Sequence, residues 1–276
     1  MTSATPDLRD FAGHLVLVGA GKMGSALLEG WLRFGLDPKH IAVLDPQPSP
    51  QISALSRGLL LNPQLRTLGD VAAIVIAVKP QSAAEAIPPL KPMIGASTVV
   101  ASIMAGRTLQ FIADALNASC ALVRAMPNTP AAIGRGITVA VPRDVNPAQR
   151  ELAHRLLCAT GTVEWIEDEA LMDAVTAVSG SGPAYVFLLA EALAEAGVAA
   201  GLPPSLATKL AHETVAGSGE LLHRSELDAT VLRQNVTSPG GTTAAALEVL
   251  MGKDGLAQLM RNAVAAATKR SRELAG

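Results

Sequence analysis

The chain has 276 residues, enough for two ordinary domains with cores of their own. A formal net charge of -2 removes any electrostatic case for nucleic acid or an anionic membrane as partner. Hydrophobic residues make up 49% of the chain, but the longest clean apolar run, Val71–Val78, falls far short of the roughly 20 residues that span a bilayer.

The segment Met1–Gly13 carries Asp7 and Asp10 and lacks the apolar stretch of a secretory signal. It reads as a partly ordered tail, and the default location is cytoplasmic. Strands are then expected at His14–Val18, Ile41–Leu44, Val71–Val78, Thr98–Ser102, Cys120–Ala125, Ile137–Val141 and Thr162–Ile166. Amphipathic helical stretches such as Met23–Phe34 and Leu109–Leu116 lie between them. This alternation predicts βαβ units and a mostly parallel sheet. The two cysteines, Cys120 and Cys158, form no metal or disulfide pattern and are expected as small buried core residues.

After Asp168 the strand pattern stops. Helices are expected over Leu171–Val198, Ser205–His223, Ala244–Leu250 and Leu256–Leu274, with a stop and restart at Gly201 and the two prolines after it. The predicted fold is thus α/β: a Rossmann-type dinucleotide-binding domain over residues 1–168, then an all-helical domain over 169–276. Only 3% of the chain is aromatic, and Ala-rich helices fill little volume. The helical domain is therefore expected to complete its core against a second copy, in a symmetric homodimer.

Chemistry enters at Gly19-Ala20-Gly21-Lys22-Met23-Gly24. A GxGxxG motif alone is weak, but this one follows an apolar strand and opens a helix. Asp45 ends the next strand 21 positions after Gly24, close to the fingerprint spacing. Gly19 makes the tight turn, Gly21 lets the backbone approach a pyrophosphate, and Gly24 lets helix pack on strand. The helix amides then face the phosphates. A carboxylate at Asp45 suits ribose hydroxyls and repels a 2′-phosphate, which leans toward NADH. Arg57 or a shifted loop would still serve NADPH, so the preference stays open.

Further cofactor contacts are expected at strand ends. Ala77-Val78-Lys79-Pro80 passes the nicotinamide ribose, with Lys79 either touching a ligand or simply solvated. Met104 and Ala105 follow the next strand. Asn128, in a turn bracketed by Pro127 and Pro130, lines the nicotinamide pocket. No pattern of His, Cys, Asp or Glu points to a metal.

The stretches GAGKMG, AVKP, RAMPNTPAAIGRG, DAVTAVSGSGPAYVF and NVTSPGGTTAAALEVL resemble pyrroline-5-carboxylate reductases, in order and spacing from His14 to the C-terminus. The resemblance implies reduction of the cyclic imine 1-pyrroline-5-carboxylate to L-proline with NADPH or NADH, the last step of proline synthesis. It also implies a helical dimerisation domain, with dimers assembling further into rings, in many members of five dimers.

The same resemblance makes Ser238-Pro239-Gly240-Gly241-Thr242-Thr243 the substrate turn. It places the substrate carboxylate on the amides of Thr242 and Thr243, and the Thr243 hydroxyl, the catalytic group, on the ring nitrogen. Asn235 and Glu169 match positions that contact ligands in relatives. From the residues themselves, either Ser238 caps a helix with Pro239 at its first position, or Thr242 caps a helix that begins at Thr243. Both leave amides without partners near residues 240–244. Glu169 also reads as ordinary first-turn acidity on a helix. Val178-Ser179-Gly180-Ser181-Gly182-Pro183 is expected to interrupt a helix beside a ligand or a facing helix, and Tyr185 to be core.

Overall fold

Short β-branched runs line up as an eight-stranded sheet in the order β3-β2-β1-β4-β5-β6-β7-β8. The strands are β1 (His14–Val18), β2 (Ile41–Leu44), β3 (Leu60–Leu61), β4 (Val71–Ile76), β5 (Val99–Ser102), β6 (Ala121–Met126), β7 (Gly136–Arg143) and β8 (Gly161–Trp165). The computed structural model describes residues 7–55 and 58–275. Every neighbouring pair is parallel except β6–β7. The chain returns from β6 to β7 through a short prolyl turn, and so short a connection permits only antiparallel pairing.

Helices α1 (Lys22–Arg33), α4 (Leu109–Leu116) and α5 (Pro147–Leu157) connect the strands, with shorter turns at α2 (Pro50–Leu55) and α3 (Ala83–Ala86). Local chemistry sets their ends. Thr108 caps α4 by accepting from the Phe111 N–H, and α4 stops at Asn117 in a left-handed conformation. Asn146 and Gln149 form a reciprocal capping box at α5, with Pro147 in its first turn.

Alternate strand residues go to opposite sheet faces. Leu15, Leu17, Val43 and Val75 bury with Trp31 and Leu156 on one face. Val16, Ile74, Ile76 and Val100 bury with Ile112 and Leu122 on the other. Trp31 is fully buried and donates its indole N–H to the Leu156 carbonyl at 2.8 Å.

The structure corrects several expectations. Strand β3 was not expected, because two residues carry no readable period. The Val71–Val78 strand ends at Ile76, since Ala77 and Val78 turn toward Gly19. Cys120 and Cys158 are half-buried at the rims of the two cores, not inside them. The expected tail is docked from Asp7 onward. Leu8 is fully buried, and Arg155 binds the Asp10 carboxylate and the Asp7 carbonyl. These contacts hold the Asp10 carboxyl below its ordinary range.

The chain divides into two compact units, Met1–Gly180 with Thr268–Gly276, and Ser181–Ala267. Strands give way to helices after Asp168, yet the first unit runs on through Gly180 because Met172 and Ala177 bury within it. Between Glu169 and Ala199 the helical chain is continuous but not uniform. A tight turn leads into α6 (Met172–Val175), then a π-helical turn over Thr176–Gly180, then α7 (Gly182–Ala199). The hydroxyls of Thr176 and Ser179 bond back to the carbonyls of Met172 and Val175. Such bonds favour distortion of a helix. A Cβ on Gly180 would come within 2.6 Å of the Met126 methyl. The expected interruption at Val178–Pro183 is this π-turn.

The second unit holds α7, α8 (Pro204–Arg224), α9 (Ala229–Asn235), α10 (Thr242–Leu250) and the start of α11 (Leu256–Ala275). Gly201 stops the chain after α7 with φ +97°, and α8 restarts at Pro204. Its buried residues are small: Ala190, Ala207 and Ala211. Val186, Phe187, Leu188 and Leu189 face outward, Phe187 at 63% exposure. Tyr185, expected as core, is only half-buried. By length and composition only, the helical stretch Glu169–Ala199 is long and apolar enough to cross a membrane.

Candidate active site

The glycine-rich turn after β1 is shaped by three different constraints. Gly19 has φ +91°, and a Cβ there would lie 2.9 Å from both the Ala77 carbonyl and the Val78 side chain. A Cβ on Gly24 would lie 2.2 Å from the Gly19 carbonyl, so α1 packs against the turn only with glycine there. Gly21, in contrast, has nothing within 4 Å on that side. It caps α1 with extended backbone, and the N–H groups of Lys22, Met23 and Gly24 have no acceptor among the described residues. Open space in front of amides without partners at a helix start is the form of a phosphate cradle. The residues therefore fit a dinucleotide.

Asp45 follows β2 and is half-buried. Its Oδ2 accepts from the Ala20 N–H at 2.7 Å and its Oδ1 from the Gln47 N–H at 2.8 Å. The sequence reading missed Asn62, which follows β3 with φ 46°. Its side chain bonds both the N–H and the carbonyl of Asp45, at 2.9 and 2.8 Å. The Asn62-Pro63 pair was the available signal, since it marks a turn. Arg57 lies outside the described residues.

The other expected cofactor residues gather at the carboxyl ends of β4, β5 and β6. Ala77 and Val78 abut Gly19. Lys79 is exposed, and Pro80 opens a short turn. Met104 is 2% exposed and its side chain belongs to the core, whereas Ala105 is exposed. Asn128 uses its Oδ1 to accept from the Ile137 N–H at 2.9 Å, which ties the prolyl turn to β7. This clustering follows from topology: β1 and β4 are neighbours where strand order reverses, and ligands bind at that point.

The other expected cluster lies in the second unit. Neither helix start proposed from the sequence occurs. Ser238-Pro239-Gly240-Gly241 is a β-turn, closed by the Gly241 N–H on the Ser238 carbonyl at 3.0 Å. Pro239 sits at its second position and Gly240, with φ +69°, at its third. Gly241 then caps α10, and Thr242 is its first residue, not its cap. A Cβ on Gly241 would lie 2.5 Å from the Ser238 hydroxyl. The N–H groups of Thr242, Thr243 and Ala244 have no acceptor among the described residues. Thr242 is exposed and Thr243 half-buried. Asn235 is exposed as the last residue of α9.

Glu169 belongs to the first unit. Its Oε1 accepts from the Leu109 N–H at 2.8 Å and from Arg124 Nη1 at 2.9 Å. The carboxylate thus sits at the start of α4, where negative charge is favoured, and neutralises a guanidinium that is only 6% exposed. Arg124 was missed as a partner because forty-five positions separate the two in sequence.

A family model described as pyrroline-5-carboxylate reductase dimerisation matches residues 169–274, and one described as NADP oxidoreductase, coenzyme F420-dependent, matches residues 14–106. A pyrroline-5-carboxylate reductase of Pseudomonas aeruginosa is 35% identical over 265 residues, covering 95% of this chain and 97% of the relative. That of Synechocystis is 40% identical over 266 residues, covering 95% and 98%. Among solved structures, a Coxiella burnetii pyrroline-5-carboxylate reductase superposes with TM-score 0.88 at 33% identity, covering 96% of this chain and 99% of the other. The Plasmodium falciparum enzyme, solved with NADP bound, gives 0.79 at 30% identity, covering 96% and 98%. The cradle after β1, the turn before α10 and similarity along nearly the whole chain agree: this chain belongs to the pyrroline-5-carboxylate reductase family.

Proposed function

We propose that the chain reduces 1-pyrroline-5-carboxylate to L-proline with NADPH or NADH, as the last step of proline synthesis in the cytoplasm. The observation that carries this reading is the turn before α10. It offers three adjacent amides without acceptors among the described residues, beside Gly240, which faces open space, and a half-buried hydroxyl at Thr243. Those groups suit a small substrate with one carboxylate and one ring nitrogen.

In this reading the amides of Lys22, Met23 and Gly24 hold the cofactor pyrophosphate, and Asp45, with Asn62 beside it, faces the adenosine ribose. Ala77–Pro80, Met104, Ala105 and Asn128 line the nicotinamide end. The bound cofactor supplies hydride to the imine carbon. The chain's own residues orient the acceptor. The amides of Thr242 and Thr243, with Ser238, Gly240 and Gly241 shaping the turn, fix the carboxylate. The Thr243 hydroxyl donates to the ring nitrogen as it gains electron density. A protonated imine is already electrophilic, so one positioned donor suffices.

Self-association follows from the dimerisation domain. Assembly of dimers into a ring such as a decamer is part of the proposal, and the exposed Val186, Phe187, Leu188 and Leu189 around α7 support the dimer.

The test is oxidation of NADH and NADPH, in parallel, by purified protein given pyrroline-5-carboxylate. Turnover with either supports the reading, and the ratio settles the preference. Cofactor binding without turnover on this imine would overturn it.

A further inference from the structure

The last turns of α11, from Thr268 on, return to the first unit and pack there. Two contacts define how. The Ser271 hydroxyl, in a residue only 6% exposed, donates to Asp173 Oδ1 at 2.7 Å. Arg272 Nε lies 3.7 Å from the other oxygen of the same carboxylate. Asp173 sits in α6, next to the core residue Met172. Further along the same helix, Leu274 backs onto Gly106. A Cβ on that glycine would lie 3.4 Å from the Leu274 carbonyl and 3.6 Å from the Leu274 Cβ. Gly106 is buried with φ +70° and directly follows Met104 and Ala105.

We propose that the C-terminal turn of α11 is the backstop of the loop after β5, and that Asp173 and Ser271 are positioning residues for cofactor binding, acting through Leu274 and Gly106. The loop's other anchors are the Met104 side chain in the core, the Ile103 N–H on the Ile76 carbonyl at 3.0 Å and the Arg107 guanidinium over the Phe111 ring. The Ser102 hydroxyl accepts from the Met104 N–H at a long 3.3 Å, and Ala105 is exposed. A backbone that must meet a ligand through its main chain needs support from behind, because a small displacement there misplaces every contact. The left-handed turn at Gly106 sets the loop in ordinary van der Waals contact with Leu274, and the part-buried Ser271–Asp173 bond sets where the helix end lies. The proposal rests on the reading that Met104 and Ala105 contact the cofactor.

The experiment compares Ser271→Ala, Asp173→Asn, Asp173→Ala and Ala105→Glu in the full-length enzyme. KM for NADH or NADPH, kcat and melting temperature are read for each. In Ser271→Ala and Asp173→Ala, the cofactor KM should rise about fivefold, the effect of one lost hydrogen bond, while kcat changes less than about twofold. Asp173→Asn keeps an acceptor for Ser271 and should restore most of the affinity. Ser271→Ala loses only a hydroxyl, so it still decides the matter if Asp173→Ala does not fold. An unchanged cofactor KM in Ser271→Ala, with a raised one in Ala105→Glu, would overturn the backstop while leaving the loop as cofactor contact. An unchanged KM in Ala105→Glu would remove the loop from the cofactor site, and the proposal with it.

Discussion

The Asp45 carboxylate holds the Ala20 amide at 2.7 Å, so the acidic end of β2 fixes the glycine-rich turn after β1. A residue expected to meet the ribose also spends both oxygens on the protein, one accepting from the Ala20 amide and the other from the Gln47 amide. Two amide donors temper its charge, which bears directly on cofactor choice.

Asp45→Asn keeps an acceptor and removes the charge. The ratio of kcat/KM for NADPH to that for NADH should rise about tenfold, the scale of one charge repulsion near a protein surface. Steady-state kinetics with both cofactors measures this. A ratio unchanged within about twofold would make Asp45 a residue of the turn alone.

Thr243→Ala removes the proposed donor to the ring nitrogen without touching the amides before it. Turnover should fall at least about tenfold, the low end for a lost catalytic hydrogen bond. Cofactor affinity, read by fluorescence titration, should stay the same. Weakened cofactor binding at normal turnover would take the catalytic role away from Thr243.

Glu169→Ala strands a nearly buried guanidinium at Arg124 and takes the acceptor from the Leu109 N–H at the start of α4. Removing one partner of such a pair costs about 3 kcal/mol, and chemical denaturation should show a loss of that size. A raised substrate KM at unchanged stability would instead give Glu169 the ligand contact implied by the family resemblance.

Burial pushes the Cys158 thiol up to about 11, with Glu151 adding to the effect. The folded state therefore holds this proton more tightly than the unfolded chain does. The resulting stability is complete below the ordinary thiol value of 9.0 and is lost as pH rises through about 11. Melting curves across that window should fall more steeply for the wild type than for Cys158→Ala. Parallel curves would show that the thiol is not held in this way.

Much of the first unit is written locally. The β-branched runs at Val16, Val43, Ile74 and Val100 are strands because each buries on both sheet faces, and such runs need no distant partner to be recognised. The glycine spacing after β1 is legible for a related reason: each glycine answers a steric demand of its own turn. Leu60–Leu61 is not legible, because two residues become a strand only when β2 is already there to pair with.

The turn before α10 was expected to gather amides without partners, as it does among the described residues, but its helix starts at Thr242, one residue before the later of the two expected starts. Pro239 is compatible with both a first helical position and the second position of a β-turn. The left-handed Gly240 decides between them, and a sequence shows that glycine permits this conformation without showing that it is adopted.

By itself, then, the sequence determined the order of elements, the nucleotide-binding turn and the family, since periodicity and glycine sterics act over a few neighbouring residues. Tertiary structure alone decided what the charged and polar side chains hold. Asp45 turns to Ala20, Glu169 to Arg124 and Asp173 to Ser271, across separations of 25, 45 and 98 positions. A buried polar group must find a partner wherever the packed fold supplies one, and nothing local names which residue that will be.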